Sequence, residues 1–357
     1  MYNNVLFLLP DSGKKPVGGF KVVYEYANRL QDDGFEVRIV YINSVFWCEK
    51  SLYEKIFSLL RFIFRVITQN YKPKWFRLKK TISQNLFFDF PNIKGINEKT
   101  KVVATSWHTA EYLADLDIPN ENKFYLIQHY ENWEDNEDRL IKTWKAPITK
   151  FVIAPWLKQI GDGLGVKTIL LPNGFNFNEF YLKNPIENRK AYTVAMLYHV
   201  QKWKGFQDGF EALKKVRDVI KDLEVNIFGV YPRPIDFPNW ANYYQLPSKE
   251  VLNDIYNNSA IFLGPSHSEG WGLTIGEAMI GGCAIVCTNN QGYRSMIIDR
   301  SNGLVVNIAD INEMKEAVLK LILDNNLRLE LANNGKNYIS QFTWNKSYLI
   351  MKNEFMK

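Results

Sequence analysis

Two glutamates eight positions apart, Glu269 and Glu277, have the spacing and surroundings that best suit ligand chemistry in this chain. They flank a turn with two glycines, Gly270 and Gly272, which follows an apolar run and precedes a helical pattern. Glycines let backbone amides approach a ligand closely, and the start of a helix offers unpaired N–H groups and partial positive charge. The pattern favours an anion site here over the alternative of Glu269 as a helix cap and Glu277 as a solvated side chain.

Basic residues stand before a second predicted helix. Lys202 and Lys204 precede a glycine and an amphipathic pattern over 206–219. A lysine is a good point-charge partner for phosphate, so the pair is a candidate for the same anion. The alternative is that both lysines are solvated on a loop.

Two histidines and one acidic pair are further candidates. His129 and His108 each follow an apolar run, which predicts that both emerge at the same edge of a sheet, where each is either a proton carrier or a satisfied hydrogen-bonding group. Asp115 and Asp117 have the spacing of a metal-binding pair. Because they follow a helical pattern rather than a strand, we predict a solvated loop there and no metal site.

The elements that position these residues are apolar runs alternating with helical patterns. Continuous apolar runs are typical of parallel strands buried on both faces. They occur in the first half at 4–9, 36–41, 101–104, 123–128, 151–154 and 168–171, and in the second at 192–197, 224–229, 260–263, 284–288 and 303–306. A turn at 172–174 and a polar stretch at 182–190 separate the halves. We therefore predict an α/β protein with two doubly wound domains and a ligand cleft at the carboxyl ends of their strands.

Composition narrows the class. The chain has 357 residues, 46% of them hydrophobic, enough for two domains with their own cores and too many for a disordered protein. Three cysteines allow neither a disulfide framework nor a four-cysteine zinc site. The net charge of +6 is too mild to predict nucleic-acid binding. The first residues lack the pattern of a secretory signal, which predicts a cytoplasmic protein, with peripheral attachment to the inner face of the cell membrane as a further possibility.

Several segments together resemble one enzyme family. Residues 269–279 are similar to the E-x7-E signature of retaining GT-B-fold glycosyltransferases of family 4, also called glycosyl transferases group 1. Four other segments are similar to family segments in order and spacing: Gly18-Gly19, 171–175, 301–305 and 342–344. The resemblance implies two Rossmann-like domains facing each other across a cleft. Residues 1–180 would form the acceptor-side domain and 181–340 the nucleotide-sugar domain, with a C-terminal helix at 341–357 packing back on the first.

The resemblance also implies roles for the candidate residues. Glu277 would bind the ribose hydroxyls, since a carboxylate can accept from both. Glu269 would hold the transferred sugar, together with the backbone of Gly270, Trp271, Gly272, Leu273 and Thr274. Lys204 would bind the diphosphate, with His199 where the family has arginine and Lys202 as a substitute charge.

Residues of the first half would complete the site. Gly18 and Gly19 would contribute to the donor site, and His129 would contact the donor sugar. His108, Glu131 and Trp133 would line the acceptor side. No metal or cofactor would be needed, and Glu269, His129 and Lys204 would be the catalytic residues.

The function that follows from the resemblance is transfer of a hexose or deoxyhexose, with retention, from a nucleotide-diphosphate sugar to a glycan or lipid-linked glycan. The pairing of 18–25 with 128–131 is most similar to rhamnosyltransferase-like members that build surface polysaccharides. Two alternatives stay open: a nucleotide-sugar epimerase of the same fold, and a catalytically idle, membrane-associated assembly subunit.

One stretch is both basic and strongly apolar. Between Lys55 and Lys80 there are eight basic residues and no acidic one, interleaved with large hydrophobic side chains. As a helix it would suit the surface of an anionic bilayer. Alternatively, the stretch packs into the core of the first domain, with its lysines on the surface.

Overall fold

The computed structural model describes residues 4–11, 16–44, 50–90, 93–132, 136–235 and 237–357. The chain divides into two compact units, one formed by 1–173 with 345–357 and the other by 174–344. The predicted boundary after residue 180 lies inside the second unit.

Unit 1 is built on a parallel sheet of seven strands in the order β3-β2-β1-β4-β5-β6-β7. The strands are β1 (Asn4–Leu9), β2 (Glu36–Ile42), β3 (Ser83–Phe87), β4 (Thr100–Ala104), β5 (Lys123–Ile127), β6 (Thr149–Val152) and β7 (Thr168–Leu170). The helices are α1 (Gly18–Asp32), α2 (Leu52–Thr68), α3 (Trp107–Ala114), α4 (Glu137–Lys145), α5 (Pro155–Gly163) and, but for its first residue, the C-terminal α11 (Trp344–Phe355). The strand order reverses between β1 and β4, as in doubly wound folds.

Unit 2 holds a parallel sheet of six strands in the order β10-β9-β8-β11-β12-β13. The strands are β8 (Thr193–Tyr198), β9 (Glu224–Gly229), β10 (Ala241–Gln245), β11 (Ile261–Gly264), β12 (Ala284–Thr288) and β13 (Leu304–Val306). The helices are α6 (Phe206–Val219), α7 (Lys249–Asn257), α8 (Leu273–Ile280), α9 (Ile311–Leu323) and α10 (Asn325–Ile339). Two doubly wound α/β units were predicted, and this class is confirmed.

Helix α11 packs on unit 1 by its far end. The ring of Phe355 lies 4.7 Å from that of Phe124 and 6.3 Å from that of Phe151, between centroids. At the side of the same helix, the Tyr348 hydroxyl donates to Asp33 at 2.5 Å. Aromatic packing on the first sheet and a partly exposed hydrogen bond to the end of α1 thus attach the C-terminal segment to unit 1.

The basic, apolar stretch forms helix α2 over its first part. Ser51 and Glu54 make a reciprocal capping box that fixes where the helix begins. Its large apolar side chains are exposed, and its buried residues are Ser58 and Arg65. The alternative that this helix contributes its apolar face to the core is therefore wrong. Among the described residues, none of the helices is both long and apolar enough to cross a bilayer.

Candidate functional site

The turn between β11 and α8 depends on a glycine. Gly272 precedes the helix with a φ of 99°, a left-handed conformation that favours glycine. A Cβ atom added there would lie 2.7 Å from Cδ1 of Tyr293, a distance that packed atoms do not tolerate. The site therefore needs Gly272 both for its backbone angle and for the approach of the tyrosine ring.

Glu269 in this turn is held by three side chains. Lys204 Nζ donates to its two carboxylate oxygens at 2.8 and 2.9 Å. Ser266 Oγ donates to Oε1 at 2.9 Å, and the Tyr293 hydroxyl lies 3.5 Å from the same atom. Burial, followed by the charge of Glu269, holds the pKa of Tyr293 well above its usual value, so this hydroxyl stays a neutral donor. The predicted sugar-binding carboxylate and the predicted diphosphate-binding lysine thus form an ion pair.

Two loops meet closely to make this pair. Lys204 ends a short 3-10 turn, and the next residue, Gly205, has a φ of 63°. A Cβ atom on Gly205 would lie 2.0 Å from the carbonyl oxygen of Pro265. The His267 amide donates to the Trp203 carbonyl at 2.7 Å across the same junction. Lys202 in this turn is exposed, and the described residues offer it no ion pair.

His199 follows β8 and faces the same pair. Its pKa is lowered, first by burial and then by the charge of Lys204, with Glu269 opposing the shift. The ring is therefore neutral at pH 7. Its Nδ1 accepts from the Gln201 amide at 3.1 Å, which leaves the proton of the neutral ring on Nε2. At neutral pH, His199 can replace an arginine as a hydrogen-bond donor, but it brings no charge of its own.

Glu277 lies one helical turn beyond the start of α8 and is 6% exposed. Its Oε2 accepts from the Tyr256 hydroxyl at 3.2 Å. Burial, and after it the charge of Glu277, raises the pKa of Tyr256 well above its usual value, so the tyrosine remains a donor. The adjacent Gly276 lets the Phe175 ring reach the helix, since a Cβ there would lie 2.0 Å from Cζ. The carboxylate is thus held by its surroundings rather than solvated, contrary to the alternative in which it is an ordinary surface residue.

Trp271 lies between the two glycines and is buried against Phe342, with ring centroids 5.3 Å apart. Its indole nitrogen is buried and has no hydrogen-bond partner among the described residues. Packing is therefore the role of the side chain, and its backbone amide is the part suited to a ligand. Leu273 and Thr274, which open α8, are partly exposed.

Several residues that support the site were not predicted from the sequence. Ser266 and Tyr293 bind Glu269 directly, and the Asn290 side chain donates to the Ser266 carbonyl at 2.8 Å. His267 contacts Asp208 at 2.6 Å between Nε2 and Oδ2. Ser266 and His267 lie within the segment 266–269, so the predicted turn at Glu269 could have pointed to them. Tyr293 carries no local sequence signal.

In unit 1, the residue before His129 contacts the predicted glycine loop. The Gln128 side chain donates to the Gly19 carbonyl at 3.1 Å, which connects the end of β5 to the start of α1. Gly18 is the first residue of that helix and is exposed. His129 Nδ1 lies 2.9 Å from the Tyr130 carbonyl oxygen, and its ring is edge-on to Trp156 at 5.6 Å. The loop after β5 therefore places Gln128 beside the first glycine turn, whereas the donor-sugar role of the next residue, His129, stays a prediction.

The predicted acceptor-side residues form a second group in the same unit. Glu131 accepts from the Trp107 amide at 2.7 Å, so it caps the start of α3. The His108 ring stacks on that of Trp107 at 3.8 Å. Trp133 lies outside the described residues. Glu131 and His108 are thus brought together at one helix start, and their acceptor role stays a prediction.

A family model matches most of unit 2. Residues 178–338 match the model of glycosyl transferases group 1. Similar proteins include an uncharacterised glycosyltransferase, MJ1178, of Methanocaldococcus jannaschii, 29% identical over 201 residues that cover 53% of each chain. The capsular polysaccharide biosynthesis glycosyltransferase CapM of Staphylococcus aureus is 24% identical over 205 residues, which are 52% of this chain and 54% of that one. The chain thus spans about half the length of these curated relatives.

The whole chain matches a solved structure. Anabaena HepE, determined in complex with UDP-glucose, superposes with a TM-score of 0.66 over 98% of both chains at 13% sequence identity. The fold is GT-B. The predicted resemblance to GT-B glycosyltransferases of group 1 is thereby confirmed. No rhamnosyltransferase-like subtype is distinguished by these comparisons, and that assignment stays a prediction.

Proposed function

We propose that this protein is a retaining glycosyltransferase that moves a hexose or deoxyhexose from a nucleotide-diphosphate sugar to a glycan or lipid-linked glycan, in the assembly of a surface polysaccharide. The observation that carries the proposal is the Lys204–Glu269 pair beside the start of α8, with Glu277 one turn further on, inside the segment that matches the family model. The complex of HepE with UDP-glucose supports a nucleotide-sugar donor, and the role of CapM in capsular polysaccharide biosynthesis supports a polysaccharide product.

In the proposed reaction, the bond between the sugar and the diphosphate oxygen breaks while the acceptor hydroxyl attacks from the same face. The acceptor proton passes to the leaving diphosphate. Lys204 and the first amides of α8 stabilise the negative charge that develops on the diphosphate, which is the main electrostatic task. Glu277 accepts from the ribose hydroxyls, Glu269 orients the sugar, and His199 donates from Nε2. A direct test of metal independence is turnover in the presence of a chelator.

Donor binding is tested first by thermal stability. Each of several nucleotide-diphosphate sugars is added at about 100 times its dissociation constant, which stabilises a protein by about 2.7 kcal/mol. For units of this size, that corresponds to a rise in Tm of roughly 5 to 10 °C. We expect one donor to give the largest rise and the Glu277→Gln variant to lose it. No rise with any donor would contradict the proposal.

Product analysis then separates the alternatives. A transferase consumes the donor only when an acceptor is present, apart from slow hydrolysis, and the new linkage keeps the anomeric configuration of the donor. An epimerase would release an altered sugar or nucleotide sugar from the donor alone. An idle assembly subunit would bind neither donor nor nucleoside diphosphate with measurable affinity.

A further inference from the structure

Helix α2 presents a continuous apolar face to solvent. At about 100° per residue, ten of its seventeen positions fill one arc of about 180°, and all ten are large and apolar. Their exposed fractions run from 45% to 79%. They are Leu52, Tyr53, Ile56, Phe57, Leu59, Leu60, Ile63, Phe64, Val66 and Ile67. In this arc, the apolar face of α2, the Tyr53 hydroxyl near the start of the helix is the one polar side-chain group.

Ion pairs on the polar side of α2 determine which side of the helix faces unit 1. Arg61 and Arg65 both donate to Asp11, which follows β1, at 2.5 and 2.6 Å. Asn43, which follows β2, donates to the Ser58 carbonyl at 3.0 Å and lies 3.3 Å from Arg65. The polar side of α2 is thus bound to the loops at the carboxyl ends of β1 and β2. Its orientation is the reverse of an ordinary surface helix, whose apolar stripe faces the core.

An exposed apolar face of this extent marks an interaction surface, because monomeric soluble proteins rarely expose large contiguous apolar patches. The residues after the helix indicate which surface it meets. Positions 70–80 carry five basic side chains and no acidic one, and of these Lys74, Arg77 and Lys80 are exposed. A protein partner needs polar contacts to fix its register, and the apolar face offers only the Tyr53 hydroxyl at one end, whereas a fluid bilayer requires none.

We propose that α2 lies in the plane of an anionic membrane surface, with its apolar face among the acyl chains and the basic segment 70–80 at the headgroups. The helix is about 25 Å long at 1.5 Å per residue, so it can rest on one leaflet without crossing it. This inference stands on unit 1 alone and does not depend on the proposed donor site in unit 2.

The test is flotation of the full chain with vesicles of phosphatidylcholine alone, or of equal parts phosphatidylcholine and phosphatidylglycerol. We expect the wild type to float with the anionic vesicles, less so as salt rises, with a salt-resistant fraction held by the apolar face. A triple variant, Ile56→Ser with Leu60→Ser and Ile67→Ser, should bind about 100-fold more weakly, from about 1 kcal/mol per side chain withdrawn from the bilayer. The variant Lys74→Gln with Lys80→Gln should lose about fivefold per charge at low salt.

A matched control carries three equally exposed apolar residues of unit 2 changed to serine, Val219, Ile298 and Leu323. We expect it to float like the wild type, and all variants to keep their thermal unfolding and nucleotide binding. Absence of wild-type flotation at low salt would overturn the proposal, as would equal loss in the control. A wild-type dimer that the α2 triple variant dissociates, without vesicle binding, would overturn it in favour of a second copy of the chain.

Discussion

Glu277 allows the sharpest test of the donor site, because the structure supplies its own control. The carboxylate is 6% exposed and accepts from the buried Tyr256 hydroxyl at 3.2 Å. If it also accepts from two ribose hydroxyls, Glu277→Gln keeps one acceptor oxygen and the side-chain volume but loses a charged acceptor. Removal of one hydrogen bond to a charged group costs about 1.5 to 3 kcal/mol. If thermal stability identifies a uridine donor, we expect uridine diphosphate to bind about 10- to 150-fold more weakly. For any other donor, its own nucleoside and nucleoside diphosphate replace uridine and uridine diphosphate in this test and in those below.

The assay is calorimetric titration with uridine diphosphate, with urea unfolding measured on the same samples. Tyr256→Phe removes the neighbouring hydroxyl and leaves the carboxylate in place, so it reports the structural part of the effect. We expect this control to lower stability by about 1 kcal/mol and to change affinity by no more than about threefold. Equal weakening in both variants would show that Glu277 acts through packing and not through the ribose. Unchanged affinity in Glu277→Gln would refute the assignment outright.

Three further predictions concern the ion pair and its neighbour. Glu269→Gln should lower turnover by about 100-fold or more. Uridine diphosphate should bind equally well or more tightly, because Lys204 is released from its partner. A parallel loss of affinity would show that the roles of Glu269 and Glu277 are divided wrongly. Lys204→Met should weaken uridine diphosphate by about 10-fold or more and uridine hardly at all, as titration of both ligands would show. The third prediction concerns His199, whose pKa is lowered in the free protein. Affinity of the wild type for uridine diphosphate should rise as pH falls from about 7.5 to about 5.5, because the bound diphosphate favours protonation of this ring. His199→Asn keeps an acceptor for the Gln201 amide and should flatten this dependence; an unchanged slope would assign the titration to another group.

The sequence predicts the buried strands and the edge strands β7 and β13, but it misses the edge strands β3 and β10. Central strands such as β1 and β11 are buried on both faces, so their residues form continuous apolar runs. The strands β3 and β10 lie at the outer edges of the two sheets and are largely half-buried or exposed. Their side chains face both protein and solvent, so the sequences at Ser83–Phe87 and Ala241–Gln245 show no apolar run. Neither strand was predicted.

The candidate site was predictable residue by residue but not as an arrangement. The turn around Glu269 and the basic residue Lys204 are both visible as local patterns. Their ion pair is not, because it depends on Gly205 approaching Pro265 across 60 positions of sequence. Tyr293 is a similar case, since it reaches Glu269 only after β12 and the turn beyond it are placed.

Helix α2 shows a different limit of sequence patterns. Its periodicity predicts an amphipathic helix, but periodicity does not say which side faces the protein. The side is decided by Asp11, which lies 50 and 54 positions from the two arginines that it binds. Arg61→Glu with Arg65→Glu would therefore break both ion pairs. Both changes would break the attachment of α2 to unit 1, so they test its orientation and not the charge that it offers to a membrane.

The Lys204–Glu269 ion pair must open before Lys204 can bind a diphosphate, so part of the donor binding energy is used to separate the two side chains. Lys204 and Glu269 have 23% and 13% of their side-chain surfaces exposed, so water screens their attraction only in part, and the cost of burying both charges offsets much of it. A diphosphate carries more charge than one carboxylate and can take over the lysine at small cost. Glu269, still held by Ser266 and Tyr293, then keeps its position while losing its cation. A carboxylate fixed in place and short of one partner is suited to accept from a sugar hydroxyl. Nucleotide binding would in this way prepare the sugar subsite, which is why a change at Glu269 should affect turnover and not nucleotide affinity.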